Sequence, residues 1–134
     1  RPTPTTQHAT IKAGSLRARV KGEEDFGAYL LLSMHTNASV NSSASGSEAL
    51  VYRVDSTAGR IGESLLRSMT RLTGLRNRGV IARPGLYVLR KTSMPAVLME
   101  IGFISNPGDA ALIRDNPDLF PEGLYRGLNA YYGF

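Results

Sequence analysis

The sequence predicts a single-domain α/β sandwich with a mostly parallel central sheet flanked by helices. Two observations carry that expectation. Residues 28–34 and 96–101 are apolar along their length instead of alternating, as strands covered on both faces are. Segments with helical spacing separate and follow them, such as Ile61, Leu65, Met69 and Leu72 on one stripe. Strands that alternate with helices imply helices packed on the faces of the sheet. With 134 residues and 42% hydrophobic content, the chain has the size of one domain and enough apolar surface for a core.

The elements follow in order. Residues 1–10 are rich in Pro and Thr and read as an extended lead-in, with His8 at the surface. Residues 11–25 suit a helix, with Leu16 and Val20 four apart. The first apolar strand is 28–34, and 41–46 is a Ser/Asn/Gly loop. Residues 48–54 alternate towards a second strand. Residues 57–73 form a helix, and Gly74 sits where a C-terminal cap belongs. Residues 75–85 read as a basic loop and 86–89 as a short strand. The third apolar strand is 96–101. Asn106-Pro107-Gly108-Asp109 starts a short helix and Pro117 another, since Pro suits a first turn. The last helix carries Phe120, Leu124, Leu128 and Tyr131 on one face.

Charge and composition exclude several classes. Sixteen Lys and Arg against eleven Asp and Glu leave a net charge of +5, which favours an anionic polymer as partner. The basic residues are scattered, with no tight run interleaved with aromatics, so specific nucleic-acid binding is not expected. Without cysteine there is no disulfide and no thiolate metal ligand. No apolar stretch is long enough for a transmembrane segment. The chain opens at Arg1, which suggests a processed product or part of a longer chain.

Two strands run into reactive residue types. The first ends in Ser33-Met34-His35-Thr36-Asn37-Ala38. The other carries Glu100 inside the run from Pro95 to Asn106. An ionised carboxylate in an apolar strand is costly, so such a residue protonates, pairs or works. Binding residues of open parallel sheets gather beyond the carboxyl ends of strands. A His and a Glu at neighbouring strand ends would share one crevice, where imidazole suits a metal and Glu suits a general base. Each residue alone also has a structural reading: a satisfied histidine, or a Glu paired with an arginine.

These residues resemble a known family. Residues 33–38 are similar to the Ser-Ile-His-Ala-Asn-Ala motif of zinc-dependent N-acetylmuramoyl-L-alanine amidases, and residues 95–106 to that family's second signature. Gly46-Ser47-Glu48, Arg78-Gly79-Val80 and Tyr87-Val88-Leu89-Arg90 agree in order and spacing, so the resemblance spans roughly residues 15–134. It implies a single α/β domain that hydrolyses the amide between N-acetylmuramic acid and L-alanine in peptidoglycan, outside the cytoplasm, with one zinc ion. By the matched positions His35 is a zinc ligand. Glu100 is the general acid/base, which takes a proton from water and returns one to the leaving amine. Asn37 and Ser105, close by in the motifs, are expected to shape the substrate pocket.

The chain departs from the family in one respect. The family has an N-terminal strand ending in an Asp-Pro-Gly-His-Gly-Gly type motif, then a Glu, which supply the other two zinc ligands; neither occurs here. A catalytic zinc takes three protein ligands and an open position. Residues 1–134 therefore read as an amidase-like domain whose first strand and helix are missing, inactive alone and completed by upstream residues. Its own cleaved N-terminal segment, or another chain, would be a partner beside peptidoglycan. The alternative is a non-catalytic peptidoglycan-binding or interaction module on a degenerate amidase fold.

Overall fold

A computed structural model describes residues 6–11, 30–90 and 94–133. Among them are five strands, β1 (Thr6–Ile11), β2 (Leu30–Asn37), β3 (Ser47–Val51), β4 (Asn77–Ala82) and β5 (Ala96–Phe103). Four helices accompany them, α1 (Thr57–Thr73), α2 (Tyr87–Arg90), α3 (Pro107–Asp115) and α4 (Leu119–Tyr132). The strands make one sheet in the order β1-β2-β5-β3-β4. This is the expected α/β class, flanked by helices.

The sheet is mixed where a mostly parallel one was expected. β2–β5 and β3–β4 run parallel, and β1–β2 and β3–β5 antiparallel. The apolar runs report burial on both faces, and burial carries no information about strand direction.

Three local expectations also change. The lead-in contains β1, an edge strand whose backbone pairs along β2 from Thr6 opposite His35 to Ile11 opposite Leu30. Thr and Ile suit an extended chain, but its pairing is a long-range event. The helix expected at 11–25 lies outside the described residues except Ile11, which is in β1. The basic loop contains β4, a partly exposed edge strand in which Val80 and Ile81 pack on the core clusters. Residues 86–89, expected as a strand, join a helical turn: the Leu89 and Arg90 amides donate to Leu86 O at 3.1 Å each. An apolar run of four is too short for periodicity to separate the two forms.

The core explains the layers. The stripe of α1 buries Ile61, Leu65 and Met69 against Ala49, Val51, Val97 and Met99 of the sheet. Ser56 caps the start of α1, its Oγ accepting from the Gly59 amide at 3.0 Å. Gly74 ends it at φ 79°, a left-handed conformation that favours glycine. Helix α4 lies directly on α1: a Cβ at Gly123 would stand 2.6 Å from Met69 Cα, and one at Gly127 2.7 Å from Leu65 Cα. The Ser64 hydroxyl donates to Gly127 O across this contact at 2.8 Å. The opposite face of the sheet holds a smaller cluster, Leu50, Leu89, Ala96 and Leu98, covered by Leu86 and Val88 around α2.

Candidate active site

Register brings the reactive residues together. His35 on β2 lies opposite Glu100 on β5, and Glu100 lies opposite Glu48 on β3. Residues directly opposite on neighbouring strands project to the same face, with strands roughly 4.8 Å apart. His35, Glu100 and Glu48 therefore stand in a row across three strands. Strict alternation puts Glu100 on the side of Ala96 and Leu98, and Glu48 on the side of Leu50. The row thus occupies the face away from α1 and α4. Leu86 and Leu89 cover the other end of that face.

The electrostatics of the row are uneven. Glu48 is buried, and its Oε2 accepts from Arg78 Nε at 2.8 Å. Arg78 is fixed twice more, by a 3.4 Å bond from Nη1 to Ser45 O and by its guanidinium carbon 5.0 Å from the Phe103 ring centroid. Glu100 has no such partner, and its Oε1 is buried without a hydrogen bond among the described residues. Its pKa is pushed up to about 7, first by burial and then by the neighbouring Glu48 charge; Arg83 works in the opposite direction. A carboxyl group that titrates near neutrality suits proton transfer.

The loops at the strand ends are stapled to each other. Asn37 O accepts from the Ile104 amide at 2.8 Å, and Ser105 Oγ accepts from the Ser39 amide at 2.9 Å. The Asn37 side chain folds back, accepting from the Ala38 amide at 2.8 Å. Asn106 Nδ2 donates to Ser42 O at 3.0 Å. Asp109 is the hub: Oδ2 accepts from the Gly46 and Phe103 amides, both at 2.9 Å, and Oδ1 from Ser45 Oγ at 2.8 Å. The carboxylate is buried and holds the approach to β3 against the end of β5.

The model of the N-acetylmuramoyl-L-alanine amidase family matches residues 3–130. The chain belongs to this amidase family. It is 33% identical over 122 residues to the N-acetylmuramoyl-L-alanine amidase LytC of Bacillus subtilis, covering 88% of this chain and 24% of that protein. It is 29% identical over 137 residues to the germination-specific N-acetylmuramoyl-L-alanine amidase of the same organism, covering 98% of this chain and 56% of that one. Among solved structures it is similar to the catalytic domain of CwlV, an N-acetylmuramoyl-L-alanine amidase from Bacillus (Paenibacillus) polymyxa var. colistinus. There the TM-score is 0.68 at 28% identity, over 88% of this chain and 62% of that one. The chain thus spans between about a quarter and a little over half the length of these two curated relatives.

Of the residues expected at the amidase site, His35 and Glu100 are neighbours across two strands, while Asn37 and Ser105 hold the adjoining loops. Sequence reasoning assigned no role to Glu48, Arg78 or Asp109. Glu48 and Arg78 lie in stretches that resemble the family, but their pairing spans 30 positions along the chain. Asp109 reads locally as a first-turn acidic residue of a helix, which it also is. Among the described residues no group of three or more His, Cys, Asp or Glu is placed to hold a metal ion. His35 and the carboxylates beside it do not by themselves fit a zinc site. No helix among the described residues is long and apolar enough to cross a membrane.

Proposed function

We propose that residues 1–134 work as an amidase catalytic domain that hydrolyses the amide between N-acetylmuramic acid and L-alanine in peptidoglycan, outside the cytoplasm. The observation that carries this reading is Glu100, a carboxyl group held near pKa 7 in register with His35. Near neutral pH both protonation states of Glu100 are populated, which a residue that both accepts and donates a proton needs. Glu100 takes a proton from the attacking water as the carbonyl carbon becomes tetrahedral. It then returns a proton to the alanine nitrogen as the carbon–nitrogen bond breaks. Burial first, and then the charge of Glu48, held in place by its pair with Arg78, keep Glu100 from ionising too readily. Asn37 and Ser105 shape the pocket by holding the two loops at its rim. The net charge of +5 raises the local concentration of an anionic wall polymer.

His35 is the one described residue we assign as a zinc ligand. The described residues do not complete a metal site, and no step above passes through a metal. Two measurements test the reading on the full protein. Glu100→Gln is expected to lower muropeptide hydrolysis at least about a hundredfold; a variant within tenfold of wild type removes Glu100 from the proton-transfer role. Metal analysis is expected to find zinc near one equivalent. Less than about 0.1 equivalent, with peptidoglycan bound but not cleaved, would favour the non-catalytic wall-binding module instead.

A further inference from the structure

We propose that Arg78, while it holds Glu48, also binds a carboxylate of the peptide stem, on the second residue beyond the scissile amide. This inference rests on the amidase reading and adds a residue that fixes the stem and makes the site selective. Register places Arg78 in the reactive row. Glu100 lies opposite Glu48, and β3 pairs with β4 from Ser47 opposite Asn77 to Ala49 opposite Val80, with an irregularity between the two pairs. Arg78 therefore stands beside Glu48, and the 2.8 Å bond from its Nε to Glu48 Oε2 fixes the side chain at that level. His35, Glu100, Glu48 and Arg78 thus follow one another across four neighbouring strands.

The side chain leans towards the open end of the row. Its other contacts are Ser45 O, just before β3, and the ring of Phe103, which lies beyond Glu100 on β5. Leu86 and Leu89 cover the opposite end. The guanidinium also keeps donors to spare. Of its five N–H groups, one on Nε goes to Glu48 and one on Nη1 to Ser45 O, the latter at a long 3.4 Å. Among the described residues nothing accepts from Nη2. The Arg78 side chain is 32% exposed against 8% for Glu48, so a ligand meets the arginine before the carboxylate. The donors of a guanidinium lie along separate edges of a rigid fork, which lets one arginine bridge two carboxylates.

The spacing fits a short peptide. In the order β5-β3-β4, Arg78 is two strand separations from Glu100, roughly 10 Å. Two extended residues cover roughly 7 Å. A charge-assisted hydrogen bond adds about 2.8 Å. With the scissile nitrogen at Glu100, a carboxylate on the second stem residue thus arrives at Arg78. Both groups are presented on one face, since Glu48 projects with Glu100 and Arg78 meets the Glu48 carboxylate. A guanidinium recognises a carboxylate through two parallel bonds, which a carboxamide cannot reproduce.

The experiment uses soluble muramoyl-tripeptides with either a free carboxylate or a carboxamide on the second stem residue, and the full protein. Wild type is expected to cleave the carboxylate form with a kcat/KM at least about tenfold higher, as a charge-assisted pair implies. Removing Arg78 alone would strand the Glu48 charge, so the arginine is varied in a Glu48→Gln background. Glu48→Gln keeps the arginine and an oxygen for its Nε, and is expected to keep the preference. Glu48→Gln with Arg78→Gln is expected to cleave both forms equally, and Glu48→Gln with Arg78→Lys to recover part of the difference. Three results would each overturn the proposal: no preference in wild type, its loss already in Glu48→Gln, or its survival in the double Gln variant. The first needs no variant to fold. Titration calorimetry on Glu100→Gln with the same two compounds reads the preference without turnover. If wild type cleaves neither compound, the amidase reading fails, and calorimetry still decides the role of Arg78: equal affinity for the two forms refutes it.

Discussion

Asp109 offers the sharpest test of how this fold positions its site. Its carboxylate accepts three hydrogen bonds in a buried setting, two of them from the main-chain amides of Gly46 and Phe103. Asp109→Ala leaves both amides without an acceptor. A buried donor left unsatisfied costs about 1–3 kcal/mol, so the pair implies a loss of about 2–6 kcal/mol. Ser45 adds little, because its hydroxyl is only partly buried and turns to another acceptor. Asp109→Asn keeps one carbonyl oxygen for the two amides and loses mainly the strength that charge adds, about 1 kcal/mol. In urea, with a slope of about 2 kcal/mol per molar, the Ala midpoint is expected to fall by about 1–3 M and the Asn midpoint by less than about 1 M. Activity is expected to follow the same order, because Gly46 leads into Glu48 and Phe103 follows closely on Glu100. An Ala variant within about 1 kcal/mol of wild type refutes the argument. So does an Asn variant as damaged as Ala.

The remaining predictions concern charge and close packing. Glu100 titrates near 7 in the fold against 4.5 for the free group, so the folded chain holds a proton that the unfolded chain releases. Stability is therefore expected to fall as pH rises from about 4.5 to 7 and then level off. The loss is about 1–2 kcal/mol once the partial exposure of Glu100 is allowed for. Urea midpoints against pH in the presence of a chelator check this, and the slope should vanish in Glu100→Gln. Glu48→Gln removes the like charge beside Glu100, so the Glu100-dependent limb of the pH–rate profile is expected to move to lower pH. It should stay above the ordinary carboxylate range, since burial is the larger cause. Gly123→Ala drives a Cβ into the Met69 backbone at 2.6 Å and is expected to cost about 1–3 kcal/mol, read as a fall of several degrees in Tm. Gly85→Ala, with nothing within 4 Å, is expected to change stability by less than about 0.5 kcal/mol in the same assay.

By itself the sequence determined the features that depend on neighbours along the chain. The stripe Ile61, Leu65 and Met69, followed by Gly74, marks α1 because a helix repeats every 3.6 residues and ends where a left-handed residue is tolerated. The apolar runs around 28–34 and 96–101 mark buried strands, and His35 and Glu100 stand out as reactive types within them. Only the tertiary structure decided direction, register and charge. Strand direction came out mixed, because burial on two faces is compatible with either sense of pairing. β1 and β4 are edge strands made by partners far along the chain, and α2 is a turn set by local bonds that its apolar run did not announce. The Gly46 amide meets Asp109 across 63 positions, and Glu48 comes to stand beside Glu100 only through the pairing of β3 with β5. Periodicity and capping are local, so they are written in the order of residues. The proton affinity of Glu100 depends on which charges and how much water surround it, and those are properties of the assembled sheet.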